Sequence, residues 1–405
     1  MSNALNGTHL GGNALVIGGG IAGAVAAIAL KKAGIEPLLF ESYDAGAEGV
    51  GAFLTLAVNG LDALEAVGID AAQLGGFETP RMAFSLGSGE RLAEFASGPR
   101  LPSGAACRTI KRADLYTSLR DEAIRRGVTI AYGKRLVDTE RLPSGRVMAR
   151  FEDGSTAKGD FLIGADGLHS RVRALIDPRA PRPRYVGLLN TGGYVRGVEV
   201  PGEPGTMQMV FGKRSFFGYV KNPNGEVWWF ANLGCARELS RDELAAKSGE
   251  AWRAELLTAF AGDDARAVDV IRATASIMVG WGTYDMPMVP KWHDDRRIII
   301  GDAAHATSPS SGQGASMAIE DAVVLAMCLR DEPTIDSAFS RYEGMRRERV
   351  ERVVAQGKKN GDGKTPGLVG RVIRDVALRI MLARMEKSGG QPFDWVYSHH
   401  LAWDA

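Results

Sequence analysis

Three stretches of the chain carry residues whose types and spacing suit a ligand with phosphates and sugars. The first is GGGIAG, where Gly18, Gly20 and Gly23 form G-x-G-x-x-G with Ala22 in the same turn. Gly18 permits a tight turn, Gly20 lets the backbone approach a pyrophosphate, and Gly23 lets a helix pack closely on a strand. Glu41 follows at about the 20-residue distance where an acid binds ribose hydroxyls. The second stretch is GADGLHSRVR, in which Asp166 stands beside glycines and ahead of Arg171 and Arg173, a phosphate-facing arrangement. The third is GDAAHATSPSSGQG. Its Asp302 can accept hydrogen bonds from sugar or ribityl hydroxyls, and Gly312-Gln313-Gly314 opens a helix whose N–H groups suit an anionic or electron-rich ligand. The first stretch alone specifies an adenine dinucleotide and leaves NAD and FAD open.

These residues need strand ends and helix starts to hold them. Apolar runs at 14–17, 37–40, 161–163 and 297–300 read as buried strands, and each of the three motifs follows one of them. Helices are expected at 21–30, 111–126, 315–329 and 335–354, with a Gly/Lys-rich break at 358–370 and a basic amphipathic helix at 368–385. Arg112 lies at the start of the second helix and can meet a phosphate or sugar. Further strands are expected at 128–138 and 147–151. A glycine-rich loop at 46–51 can lie against a flat ring and leads into a helix with Leu61, Leu64 and Val67.

Between 185 and 285 the texture changes. Strands are expected at 192–200, 206–211, 216–221, 227–233 and 273–281, interrupted by one helix at 240–260. Aromatic residues gather here. Alternation puts Phe217 and Tyr219 on one face of their strand and Phe216 on the other, so one face covers a core and the other can wall an apolar pocket. Tyr194, Phe217, Tyr219 and Trp228 are the candidate pocket residues, with Pro309 from the third motif.

Composition narrows the class. Formal net charge is +1, so no basic surplus points to nucleic acid. Cys107, Cys235 and Cys328 are scattered, which argues against a disulfide framework and against a zinc site. No stretch has the length and apolarity of a membrane span, and residues 1–13 read as a polar, disordered lead-in without a signal-peptide core. A cytoplasmic protein without stable membrane association, monomeric or homodimeric, is expected.

The ordered trio, GGGIAG with Glu41, then GADGLHSRVR, then GDAAHATSPSSGQGASMAIEDA, resembles the group A FAD-dependent aromatic monooxygenases of the p-hydroxybenzoate hydroxylase fold. The salicylate-hydroxylase-like branch is the most similar, over roughly residues 14–354. The resemblance implies an α/β fold with a Rossmann-like FAD-binding domain (14–184 and 286–356), an inserted, mostly β substrate domain (185–285), and a C-terminal helix and tail (357–405). It implies FAD contacts at Gly18, Gly20, Ala22, Gly23, Glu41, Arg112, Leu136, Asp166, Asp302, Pro309, Gly312, Gln313, Gly314 and Ala315. FAD takes the single Rossmann fingerprint, and NADPH or NADH binds transiently elsewhere. The implied activity is hydroxylation of an aromatic or polycyclic small molecule with O2, through a flavin C4a-hydroperoxide. The flavin carries this chemistry, and no metal or catalytic base is assigned. Tyr219 and Arg196, with Tyr194 and His293, are candidates to touch a phenol, and His305 reads as a packing residue. The alternatives are epoxidation or N-oxygenation on the same fold, a flavin reductase or dehydrogenase without oxygen insertion, a flavin halogenase, and a redox-sensing FAD protein.

Overall fold

In the computed structural model, residues 12–44, 52–365, 367–388 and 394–404 are described. The loop at 46–51 and most of the expected lead-in lie outside them. Five parallel strands form one sheet in the order Arg297–Ile299, Phe161–Gly164, Asn13–Ile17, Glu36–Phe40, Thr129–Ala131. Leu15, Val16 and Ile17, Phe161, Leu162 and Ile163, and Ile298 and Ile299 are buried without alternation, as strands covered on both faces must be. Helix Ile21–Lys32 is rich in alanine, and every residue from Ile21 to Leu30 is buried, so it packs closely along helix Gly314–Asp331.

The second large sheet has seven strands, in the order Trp281–Asp285, Arg184–Val195, Val227–Gly234, Phe216–Lys221, Thr206–Phe211, Arg81–Leu86, Arg91–Ala96. Two of its strands come from residues 81–96, so this sheet is not confined to 185–285 as expected. The parallel pairing of Thr206–Phe211 with Arg81–Leu86 joins the two parts. Other boundaries differ from expectation too. The single helix expected at 240–260 is two helices, Arg241–Ala245 and Gly249–Ala259, each started by its own serine cap. The stretch 274–280 is irregular and its strand begins at Trp281. The helix expected to end at 354 runs through Ile335–Asp362.

The faces of this sheet divide its aromatics. Phe217, Tyr219 and Trp229 share a core with Trp252, Leu256, Phe260, Val270 and Ile271 of the covering helices Gly249–Ala259 and Ala265–Ala273. Trp228, Tyr194 and Phe230 lie on the opposite face with Phe53 and Phe77. The alternation is as read, but Phe217 and Tyr219 lie in the core, because the helices between strands Val227–Gly234 and Trp281–Asp285 fold back onto their side.

A buried ion cluster ties the parts together. Arg346, 1% exposed, donates to Glu320 (2.5 Å) and Asp321 (2.7 Å) on helix Gly314–Asp331. Arg349 donates twice to Glu320 (2.8 Å each) and also to the carbonyls of Trp395 and Val396. Asn59 donates to Glu320 (2.6 Å). Asp321 accepts the Gly301 N–H (2.8 Å) and meets His305 Nε2 (2.5 Å). Burial alone would raise both carboxyl pKa values. Arg346 with Arg349 at Glu320, and His305 with Arg346 at Asp321, outweigh it and hold both below the ordinary carboxyl range. A depressed carboxyl adds stability above its ordinary pKa of about 4 and loses it as pH falls through the folded value. Arg346→Met should therefore cost about 3 kcal/mol in urea unfolding at pH 7, because Glu320 and Asp321 lose the guanidinium between them and keep only Arg349 and His305 to offset two buried charges. The gap to the parent protein should narrow below about pH 4, where the carboxyls take up protons. An unchanged urea midpoint at pH 7 would contradict this role.

Candidate FAD and substrate site

The nucleotide loop begins where strand Asn13–Ile17 ends. Gly18 takes φ +104°, and a Cβ there would overlap the carbonyl of Ala165. A Cβ on Gly23 would overlap the carbonyl of Gly18. These two glycines serve chain packing. Gly20 is different: its φ of −71° suits any residue, and a Cβ would meet none of the described residues within 4 Å. It leaves room at the start of helix Ile21–Lys32, whose first N–H groups receive no side-chain cap among the described residues. Space beside uncapped donors is what a pyrophosphate requires. Glu41 is anchored beside this loop. Its carboxylate accepts the N–H of Gly19 (2.7 Å), the N–H of Tyr43 (2.9 Å) and the hydroxyl of Ser42 (3.1 Å).

The other two motifs close on the same place. Asp166 accepts the Ser170 hydroxyl (2.5 Å) and the N–H groups of Arg171 (2.7 Å) and Val172 (3.1 Å). Burial nevertheless raises its pKa. Its carboxylate is thus engaged in starting helix Arg171–Ile176, while the next arginine makes the long-range link. Arg173 donates to the carbonyls of Ala303 and Leu168 (2.8 Å each), which fastens this motif to the turn bearing Asp302. Arg171 reaches the Val137 carbonyl (2.8 Å), next to the buried Leu136. A Cβ on Gly301 would sit 3.2 Å from the Cβ of Ala22, so the first and third motifs also touch.

Asp302 opens helix Asp302–His305. Among the described residues no hydrogen-bond donor contributes to its carboxyl. Burial raises its pKa, and the nearby charge of Arg112 works against that rise. Arg112 begins helix Arg112–Arg125, and its Nε donates to the Tyr116 hydroxyl (3.0 Å). A half-buried acid with no protein donor among the described residues and a nearby arginine form a donor and acceptor set suited to polyhydroxyl and phosphate groups. Beyond them, Pro309–Ser311 makes a short 3-10 turn and Gly312 takes φ +65°. Gln313 is buried and accepts from Asn59 (3.1 Å), and Gly314 starts the long helix, with Ala315 half-buried in its first turn. Pro309 and Gly312 are exposed at the rim of this loop.

Next to Arg112 stands an aromatic wall. Phe53, on the strand Phe53–Leu56 that pairs with Arg108–Lys111, lies 5.6 Å from Trp228, 5.9 Å from Phe230 and 6.5 Å from Tyr194 between ring centres. Lys111 sets its ammonium over Tyr194 (4.7 Å) and Trp228 (5.4 Å). Three expected substrate contacts, Arg196, Tyr219 and His293, are not part of this wall. Arg196 sits on an exposed turn, donating to the Asn224 carbonyl (3.2 Å) and paired with Glu226 (3.6 Å). Tyr219 donates to the Pro201 carbonyl (3.1 Å) on the helix-covered side of the sheet. His293 faces Glu343 (3.4 Å). Asn59, Glu320, Asp321 and Arg346 escaped the sequence reading. The signal for them was an acidic pair, Glu320-Asp321, inside an otherwise apolar helix.

A family model described as FAD binding domain matches residues 12–357. The chain belongs to that FAD-binding family. It is 33% identical over 359 residues to an FAD-dependent urate hydroxylase of Klebsiella pneumoniae, covering 86% of this chain and 89% of that one. It is 32% identical over 371 residues to the aurachin C monooxygenase/isomerase of Stigmatella aurantiaca, covering 91% and 94%. The crystal structure of Klebsiella pneumoniae HpxO complexed with FAD and uric acid superposes with a TM-score of 0.82 at 28% identity, over 95% of this chain and 97% of that one. This family member is a flavoprotein monooxygenase with FAD as its cofactor, of the group A aromatic hydroxylase type. Among its described residues no helix is long and apolar enough to cross a membrane.

The glycines give a contrast that tests the cradle. Gly20→Val should leave the apo protein's melting temperature within a few degrees of the parent's. It should weaken FAD binding at least tenfold, roughly 1.4 kcal/mol or more. Gly23→Ala should lower the melting temperature of the apo protein itself. Equal FAD affinity in Gly20→Val and parent, read by fluorescence quenching, would remove the pyrophosphate from this position. Asp302→Ala should likewise purify with a reduced FAD content.

Proposed function

We propose that this monooxygenase hydroxylates a planar aromatic or heteroaromatic ring held against Phe53, Tyr194, Trp228 and Phe230. The observation that carries the reading is that this wall, on the sheet face turned away from the covering helices, adjoins Arg112: the Ala52 carbonyl, next to Phe53, accepts the Arg112 N–H (3.1 Å), and the charge of Arg112 acts on the Asp302 carboxyl. The names of its relatives fit such a ligand: urate and 3-amino-4-hydroxybenzoate are both flat rings.

Gly20, Glu41, Arg112, Asp302 and the turn 309–315 would hold FAD, which would supply the redox chemistry and the activation of O2. NADPH or NADH supplies the two electrons. One oxygen atom enters the ring, the other leaves as water, and the nicotinamide is oxidised. The chain's own work is positional. Edge and tilted aromatic contacts grip a flat ring better than aliphatic ones. The clustered rings of Phe53, Phe77, Trp228 and Phe230 keep water from the reacting face. Lys111 lies over Tyr194 and Trp228 and fixes their orientation. The three unpaired cysteines, two of them buried, suit a reducing compartment, and the reading places the enzyme in the cytoplasm.

The test is flavin bleaching under argon by NADPH and then NADH, with and without a panel of phenols and hydroxylated heteroaromatics, followed by 18O2. One compound should accelerate bleaching and return with a single labelled oxygen. Product formed before oxygen enters would replace this reading with a reductase. Trp228→Ala should raise KM for that compound about tenfold, through lost ring contact and burial, at unchanged FAD content. An unchanged KM would move the ring off this wall.

A further inference from the structure

We propose that Lys364 is the anion receptor of the substrate site, and that the aromatic substrate carries an acidic oxygen group, phenolate or carboxylate, which its ammonium receives. The inference rests on the substrate reading above. It begins with the course of the chain after helix Ile335–Asp362. That helix is held against the 307–311 loop: Asn360 donates to the Ser310 carbonyl (3.1 Å), and a Cβ on Gly357 would come within 2.7 Å of the Thr307 hydroxyl. Just past the helix, the Lys364 N–H bonds back to Gly361 (3.0 Å), and the side chain turns inward, 6% exposed. One segment thus joins the rim loop carrying Pro309 to the inner face of the seven-stranded sheet.

The ammonium arrives beside the aromatic wall. It donates to Asn232 Oδ1 (2.6 Å), two residues beyond Phe230 and on the same strand face. It lies 4.3 Å from the ring centre of Phe216 and 6.0 Å from that of Phe230. Asn232 donates onward to Asn190, and Asn190 to Thr283 (2.6 Å). This neutral row turns its oxygen toward the lysine and meets one of the three N–H donors of the ammonium.

No carboxylate among the described residues pairs with it. Arg374, the nearby cation, is already matched by Asp375 (2.7 Å) and by the Gly212 carbonyl (2.9 Å). A lone buried ammonium is costly unless an opposite charge meets it. Its only sizeable influence is burial, which draws its pKa down to about 7. A purely structural tie from this segment to Asn232 needs one neutral donor. A cation with unfilled donors beside flat rings suits an anionic oxygen borne on a flat ligand.

The experiment uses the FAD-loaded enzyme and reads ligand binding from the change in flavin absorbance. The probes are matched anion and neutral pairs, all used at about pH 6, where the lysine is charged and the acids are ionised: 4-hydroxybenzoate with 4-hydroxybenzamide, 1-hydroxy-2-naphthoate with its amide, and 2,4-dinitrophenol with 2,4-dinitroanisole. At least one anion should bind ten times or more tightly than its neutral partner, and the pair that shows this separates carboxylate from phenolate. Lys364→Met, which keeps the side-chain length, should bind both members of that pair alike with unchanged FAD content. The proposal is overturned if the parent enzyme shows no anion preference, a measurement that needs no variant, or if Lys364→Met keeps the preference. Absence of bound FAD would instead refute the cofactor reading beneath it.

Discussion

A single buried guanidinium, Arg346, sits between two buried carboxylates, and the cofactor cradle depends on that arrangement. Glu320 and Asp321 lie on the helix that the third motif opens, and Asp321 also holds the Gly301 N–H and His305. Gly301 is the residue before Asp302. The position of Asp302 is therefore set by an ion pair that would not itself touch a ligand. Placing three charges in the core is expensive, and apolar residues of similar volume could give equal or greater stability. What the charges add is direction. An apolar contact tolerates sliding, whereas a guanidinium fork bonded to two carboxylates fixes both the rotation and the register of the two helices.

The same economy of parts appears in the glycine loop. Gly18 and Gly23 allow backbone to approach backbone, and Gly20 leaves a space. The three motifs then meet through Gly18 on Ala165, Ala22 on Gly301, and Arg173 on the Ala303 carbonyl. None of these contacts is between neighbours in sequence. The cradle is a product of the parallel sheet, which brings the ends of strands Asn13–Ile17, Phe161–Gly164 and Arg297–Ile299 side by side.

The legibility of the site follows from this physics. The glycine loop could be read from sequence because its constraint is local: a strand end, a turn and a helix start within a dozen residues. The acidic pair Glu320-Asp321 could be seen but not understood, since its partner Arg346 lies a full helix away. Alternation correctly separated Phe216 from Phe217, yet which face meets helices depends on how residues 249–273 fold back, and no period in the strand records that. The strands at 81–96 were missed as members of the seven-stranded sheet because their partner, Thr206–Phe211, is more than a hundred residues distant in sequence. Lys364 lay in a stretch that composition marks as a break. A lysine just past a glycine, in a turn, ordinarily belongs to solvent.

The two halves of the site are therefore held by different kinds of restraint. On the cofactor side, backbone overlaps and the ion cluster admit few substitutions, because a Cβ at Gly18 or Gly23 would collide with main chain that cannot yield. On the substrate side, the restraints are ring contacts and a row of amide side chains. Ring contacts accept many shapes at small cost. A family that keeps one cofactor while changing its substrates needs this division, with the rigid part where the ligand is constant. The segment carrying Lys364 spans both sides: its helix is pinned to the 307–311 loop, and its side chain ends beneath the aromatic wall. A charge at that junction is tied to the cofactor by position and to the substrate by chemistry.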